Sequence, residues 1–281
     1  MTPIALTIAG SDSSGGAGVQ ADLKTFAALG VYGASVLTAL TAQNTQGVAA
    51  IHDVPADFIA AQIDAVFADL AVNAVKIGML SRSAAIETVA RGLARHRAQN
   101  IVLDPVMVAT SGDRLLAQEA LDTLRRELIP RALVVTPNLP EAALLTGASI
   151  ARDEREMEIQ ARKILLLGCR HVLIKGGHGE GAEAVDLLIG ESKVLRLEAK
   201  RIASKNTHGT GCTLSSAIAA GLAKGLDIVT AVNEAKTYVT GAIAAADRLS
   251  VGRGHGPLDH FYAHDPEKWE PIFGKDHARK E

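Results

Sequence analysis

The sequence predicts an α/β fold: a mainly parallel central sheet with helices on both faces and a small antiparallel hairpin at one edge. Two observations carry this. Short apolar runs alternate with amphipathic stretches along most of the chain, the pattern of successive βαβ units. Glycine-rich segments sit where a strand-like run passes into a helical one, at Gly10 to Gly18 and at Asn206 to Ser216.

Ile4 to Ala9 reads as the first strand and Val19 to Leu29 as the first helix, with the glycine-rich segment between them. Ser35 to Asn44 is the next strand, Pro55 to Leu70 an amphipathic helix, Ala74 to Ile77 a strand and Ser83 to Arg97 a helix. Ile101 to Leu103 is a strand ending on Asp104-Pro105. A loop through Ser111-Gly112-Asp113 follows, then a helix over about Leu116 to Leu128. Ala132 to Val135 is a strand ending on Thr136-Pro137-Asn138, and the helix Asp153 to Leu167 leads into the strand His171 to Ile174, which runs out at Lys175-Gly-Gly-His-Gly179. The runs Ala184 to Ile189 and Val194 to Ala199 flank Glu191-Ser-Lys193 and predict the edge hairpin. Helices starting near Cys212 and Asp227 close the fold. No repeat or linker divides the pattern, so residues 1–262 are read as one domain and 263–281, which have no usable period, as a surface tail. His255, His260 and His264 are read with this polar ending rather than as a metal site.

Composition excludes several classes. The 48% hydrophobic content is ample for a core, and 29 basic against 31 acidic residues leave no basic surplus for nucleic acid. Cys169 and Cys212, far apart, make no disulfide framework or zinc pattern and point to a reducing setting. No signal-peptide pattern and no apolar run of membrane-spanning length is present, so the expectation is a soluble cytoplasmic protein without a membrane partner.

The chemistry is expected beyond the carboxyl ends of the strands, where ligands of such sheets bind. Those ends supply Gly10, Gln43, Gly78-Met79, Asp104, Asn138, Lys175 and the loop before Cys212. In that loop Gly209 and Gly211 open a helix, and helix N-termini gather anions because their first amides lack internal acceptors. Cys212 lies at the same mouth, where a helix N-terminus lowers a thiol's pKa. The alternative is a glycine-rich entry to a buried helix with a structural cysteine. A carboxylate, an amide, a lysine and a helix mouth on one sheet edge suit a nucleotide with its metal. The P-loop pattern is absent. Gly16-Ala-Gly18-Val-Gln-Ala21 satisfies G-x-G-x-x-A, but the following strand ends without the acid a dinucleotide fold requires, which leaves a Rossmann dehydrogenase as runner-up.

Gly209-Thr-Gly211 opening a helix, Asp104 ending a strand, Asn138 before Glu141 and a late Lys-Gly-Gly resemble the ribokinase superfamily. Most of its members carry aspartate where Cys212 stands. With that cysteine, the opening Ile8-Ala-Gly-Ser-Asp-Ser-Ser-Gly-Gly-Ala-Gly-Val-Gln-Ala-Asp-Leu-Lys24, Ala42-Gln-Asn-Thr45, Lys76-Ile-Gly-Met-Leu80 and Asn206-Thr-His-Gly-Thr-Gly-Cys212 resemble the branch of bifunctional hydroxymethylpyrimidine/phosphomethylpyrimidine kinases of thiamine biosynthesis over about residues 4–262. A pyridoxal kinase of the same branch is the nearest alternative. A non-catalytic vitamin-precursor sensor is a third class, against which the intact glycines, lysine and acids argue.

The resemblance implies that the Gly209, Thr210 and Gly211 amides hold the transferring phosphoryl group and that Cys212 takes the substrate hydroxyl proton. Lys175 and Asn138 would serve the ATP phosphates, and Asp104 and Glu141 would hold Mg²⁺ largely through water. Gln43 would bind the aminopyrimidine, with Gly10, Asp22, Met79 and Val106 nearby, and the chain would form a homodimer. The amide of Gln43 suits that role on its own chemistry, since it offers a donor and an acceptor side by side to the amino group and adjacent ring nitrogen. Cys169 is read as a buried apolar residue.

Overall fold

The computed structural model describes residues 1–107, 119–177 and 183–264. Their strands are β1 (Ile4–Asp12), β2 (Tyr32–Asn44), β3 (Gly47–Asp53), β4 (Ala74–Ile77), β5 (Ile101–Leu103), β6 (Val134–Val135), β7 (His171–Lys175), β8 (Glu183–Ile189) and β9 (Val194–Lys200). All join one sheet in the order β3-β2-β1-β4-β5-β6-β7-β8-β9. The six strands from β2 to β7 pair in parallel, β8 and β9 form the expected antiparallel hairpin, and β3 adds an antiparallel strand at the opposite edge. That second edge is not apparent in the sequence, because Gly47-Val-Ala-Ala-Ile-His-Asp53 lacks a period-two pattern.

The strands are apolar on both sides, and each side has its own core. Leu6, Ile8, Val75, Ile77, Ile101 and Leu103 meet α2 (Ala56–Asp69), α3 (Ser83–Arg95), α4 (Ala120–Glu127), α5 (Leu139–Thr146) and α6 (Glu154–Leu165). The alternate residues Ala5, Ala74, Val102, Val134 and Leu173 meet α1 (Gly18–Ala28), α7 (Thr210–Ala223) and α8 (Ile228–Ala245). Burial on both faces explains why these strands read as continuous apolar runs. Cys169 is buried as expected, and burial pushes its thiol up to about 12.

The 111–113 loop, the first residues of the 116–128 helix, His178-Gly179 and the tail from 265 onward lie outside the described residues. The segment before the tail is no loose ending. Arg253 and Gly254 amides donate to Thr45 Oγ1 (3.2 and 3.1 Å), His255 donates to the Thr45 carbonyl (3.0 Å), and His208 donates its amide to the Gly256 carbonyl (3.0 Å). The segment ties the β2–β3 turn to the loop before α7. His260 is buried, 3.1 Å from Thr213 Oγ1, and burial lowers its pKa to about 4.

Candidate active site

A cavity of about 690 Å³ opens above the carboxyl ends of the parallel strands. Gly10, Gln43, Met79, Asp104, Val106, Asn138, Glu141, Lys175, Gly209, Thr210, Gly211 and Cys212 all line it. Asp22 does not.

At one end α7 presents its first turn. Gly209 is left-handed (φ 86°), and a Cβ there would stand 1.9 Å from the Gly16 carbonyl oxygen, so the two glycine-rich loops meet backbone to backbone. The Thr210 amide, expected among the anion donors, turns back to the Thr207 carbonyl at 3.2 Å. The ladder of α7 begins with Thr213 N–H to the Gly209 carbonyl at 2.8 Å, which leaves the Gly211 and Cys212 amides without a helical acceptor. A Cβ on Gly211 would come within 3.2 Å of Lys175 Nζ, so glycine here lets the helix end approach that ammonium.

Lys175, at the end of β7, donates to Asp104 Oδ1 at 2.9 Å and lies 3.9 Å from Glu141 Oε2. Burial works against the lysine charge, but Asp104 and Glu141 outweigh it, and its pKa is raised. Burial also opposes ionisation of Asp104, where Lys175 and Lys76 prevail and lower the pKa. Glu141 has less help. Burial and the neighbouring Asp104 charge push it up to about 7 in spite of Lys175. Asn138 and Glu141 form a reciprocal cap at the start of α5: Glu141 N–H donates to Asn138 Oδ1, and Asn138 N–H donates to Glu141 Oε2, each at 2.8 Å. The cap occupies Asn138 Oδ1, so its Nδ2 is what it has for a ligand. No cluster of three metal-ligating side chains occurs among the described residues. Two oxygen donors beside an anion-binding helix end nonetheless fit a hard cation that keeps most of its shell as water and phosphate.

The thiol departs from expectation. Removal from water and the charges of Asp22 and Asp104 outweigh Lys76 and the Gly18 amide, so the Cys212 pKa is raised to about 11 rather than lowered. The favourable helix end is present, but so are two carboxylates.

Asp22 lies beneath the floor. It is fully buried, its oxygens each 2.9 Å from Lys76 Nζ, with Thr7 Oγ1 donating to one at 2.6 Å and Ser216 Oγ to the other at 2.7 Å. With every contact satisfied inside the protein, its visible work is to hold Lys76, which does line the cavity. A charged residue in the otherwise apolar strand Ala74-Val-Lys-Ile77 was the available signal for Lys76.

At the other end, β1 shifts register between Ala9 and Ser11, and β2 between Ala42 and Gln43. Such irregularities re-aim side chains at strand ends. Met79 closes over Gly10, where a Cβ would stand 3.2 Å from its sulfur. Gln43 is pinned through its backbone, its N–H donating to Ser13 Oγ and its carbonyl accepting from the same hydroxyl, both at 2.8 Å. Its amide lies 3.1 Å from Thr41 Oγ1 and 3.4 Å from His208 Nε2. His208 in turn lies 2.8 Å from Asp12 Oδ2. Asp12 organises the first loop: its carboxylate accepts from the Ser14 amide and hydroxyl and from the Gly16 and Ala17 amides. Burial would raise its pKa, but these donors and His208 hold it well below the usual carboxylate range. Asp12, Thr41 and His208 line the cavity and were not singled out from the sequence.

A profile of the family described as phosphomethylpyrimidine kinase matches residues 12–259. The hydroxymethylpyrimidine/phosphomethylpyrimidine kinase of Rhizobium meliloti is 61% identical over 262 residues, 93% of this chain and 98% of that protein. The crystal structure of phosphomethylpyrimidine kinase from Clostridium difficile 630 is 48% identical with a TM-score of 0.76, covering 85% of this chain and 99% of that one. The ADP complex of Bacillus subtilis pyridoxal kinase is 38% identical with a TM-score of 0.86, covering 94% and 99%.

Proposed function

The chain belongs to the phosphomethylpyrimidine kinase family, a group of phosphotransferases, and from that premise we propose that it phosphorylates 4-amino-5-hydroxymethyl-2-methylpyrimidine twice, with ATP as donor. The product is the diphosphate used in thiamine diphosphate biosynthesis. The observation that carries this reading is one cavity with Cys212 at a bare helix end, Lys175 to one side and the neutral amide of Gln43 to the other.

In the first step the substrate hydroxyl oxygen bonds to the terminal phosphorus of ATP, ADP leaves, and the hydroxyl proton passes to Cys212 Sγ. Its raised pKa makes the thiolate scarce at neutral pH but a strong base once formed. Phosphoryl transfer is loose and asks more of charge neutralisation than of a base, which the Gly211 and Cys212 amides and Lys175 supply. Asp104 and Glu141 would hold Mg²⁺ mostly through water, and the ion would neutralise the phosphate charge. In the second step the attacking atom is a phosphate oxygen that already carries charge, so no proton needs removal. Gln43, being neutral, suits both acceptors.

Incubating the protein with Mg-ATP and the aminopyrimidine should give monophosphate and then diphosphate by mass. Pyridoxal phosphorylation is the second reading, favoured by the close match to a pyridoxal kinase fold, and far faster turnover of pyridoxal would replace the first. The domain is read as residues 1–262, and the protein as a cytoplasmic homodimer. No described helix is long and apolar enough to cross a membrane, and Leu40, Ile51 and Phe58 are exposed near the β3 edge, which supports a contact between copies there. A monomer mass by light scattering at micromolar concentration would contradict the dimer.

A further inference from the structure

An amide can face either way within the same outline, and which way Gln43 faces decides what ring it accepts. Four neighbours settle it. Asp12 is kept ionised by the loop donors, so the His208 nitrogen 2.8 Å away must bear a hydrogen and point it at the carboxylate side. The Gln43 atom 3.4 Å from that same nitrogen therefore faces a donor. At the other end, the Thr41 hydroxyl has a single hydrogen, and the Ser11 carbonyl at 2.8 Å, which can only accept, takes it. The Gln43 atom 3.1 Å from Thr41 Oγ1 therefore faces an acceptor. With the amide nitrogen facing Thr41 that contact is made, and with the oxygen facing His208 no hydrogen meets hydrogen, the His208 N–H itself being directed to Asp12. In the opposite orientation, which is the one the structure carries (Oε1 toward Thr41, Nε2 toward His208), an NH₂ meets an N–H and a carbonyl meets a lone pair unless Thr41 gives up the Ser11 carbonyl to donate to it.

We propose that Asp12, His208 and Thr41 are positioning residues that fix the polarity of the Gln43 amide, and so select a ring carrying an amino group beside an unprotonated nitrogen over its oxo counterpart. With Thr41 served, the amide keeps its acceptor positions on the His208 side and one free N–H on the Thr41 side. A 4-aminopyrimidine matches that order, donating its amino hydrogen toward the oxygen and accepting at the ring nitrogen. A 4-oxo ring reverses it, with a carbonyl where the amino group was and an N–H in the ring. The arrangement spans chain ends, since Asp12 and His208 are 196 residues apart, and the 252–257 segment locks both sides of it by holding Thr45 and His208. This inference rests on the reading of Gln43 as the ring contact.

The test is kcat/KM of the intact protein with Mg-ATP on the aminopyrimidine and on its 4-oxo counterpart, for the wild type, His208→Leu, Thr41→Val and Thr41→Ser. The wild type should favour the amino ring. His208→Leu and Thr41→Val should each shrink that preference roughly tenfold, the scale of one matched hydrogen bond, through KM for the amino ring with KM for ATP unchanged. Thr41→Ser keeps the acceptor and should keep the preference. An unchanged preference in Thr41→Val, or a loss in Thr41→Ser as large as in Thr41→Val, overturns the proposal, and so does a wild type indifferent to the two rings. If His208→Leu does not fold, the Thr41 pair decides alone. A wild type that phosphorylates neither ring overturns the assigned function as well, whereas indifference with good turnover leaves that function standing.

Discussion

At one end of the cavity Lys175 stands 2.9 Å from Asp104 and 3.9 Å from Glu141, beside a helix end with free amides. At the other end Gln43, Thr41 and His208 present uncharged or directional contacts. The first region gathers and neutralises a phosphate whose position in space matters more than its orientation. The second reads the order of donors and acceptors on a ring, where a misplaced hydrogen is costly. Changes at the charged end should therefore act on rate and nucleotide use together, and changes at the neutral end on the acceptor alone.

The largest effect is expected for Lys175→Ala. It removes the cation between two buried carboxylates and the charge on the phosphate, so kcat/KM for ATP should fall by roughly a thousandfold or more. A mild loss confined to the acceptor would erase the distinction between the two ends.

Cys212→Ala should lower kcat of the first transfer by about a hundredfold while KM for ATP moves little. Because the thiol stands at about 11, the base is the minor form at neutrality, and the first-step rate should climb with pH from 7 upward in the wild type. That slope should vanish in Cys212→Ala. The second transfer needs no base, so the variant should slow it less than the first, which separate time courses from hydroxymethylpyrimidine and from its monophosphate would show.

How much of this was open to reading from sequence differs between the same two ends. Strand ends at Asp104, Asn138 and Lys175 and the Gly209 to Cys212 turn are local signals, each a residue type out of place after an apolar run, and the fold brings all of them together. The ring end depends on partners that no local pattern joins. Asp12 is one polar residue in a polar loop and His208 a single residue before Gly209, so nothing local marks either. Asp22 was expected at the acceptor, but helix α1 turns it under the floor onto Lys76, a pairing set by tertiary packing alone. A helix end is a local feature and argues for a lowered Cys212 pKa, whereas the burial and the two carboxylates that raise it come from other elements.

A smaller effect sharpens the charged end. Glu141 is raised to about 7 against an ordinary 4.5. The folded protein therefore holds a proton there that the unfolded chain releases, and the stability linked to it is present below about pH 4.5 and lost as pH rises through 7. Glu141→Gln keeps an acceptor for the Asn138 amide and removes that loss, so at pH 7.5 its Tm should exceed that of the wild type by roughly 2 °C or more, with the gap closing toward pH 4.5. Activity should drop, since one of the two carboxylates that would hold Mg²⁺ is gone. Equal Tm values at both pH values would mean that burial and Asp104 place no net penalty on the Glu141 charge once Lys175 has compensated it.

The central claim is that one acceptor site serves both transfers, with the ring held by Gln43 while the phosphorylated end changes. Single-turnover rates of the two steps in Gln43→Ala test it most directly. The account predicts that hydroxymethylpyrimidine and its monophosphate both lose affinity, by a similar factor of roughly ten, with KM for ATP unchanged in each step. A variant that loses the first transfer yet converts the monophosphate as well as the wild type does would contradict it.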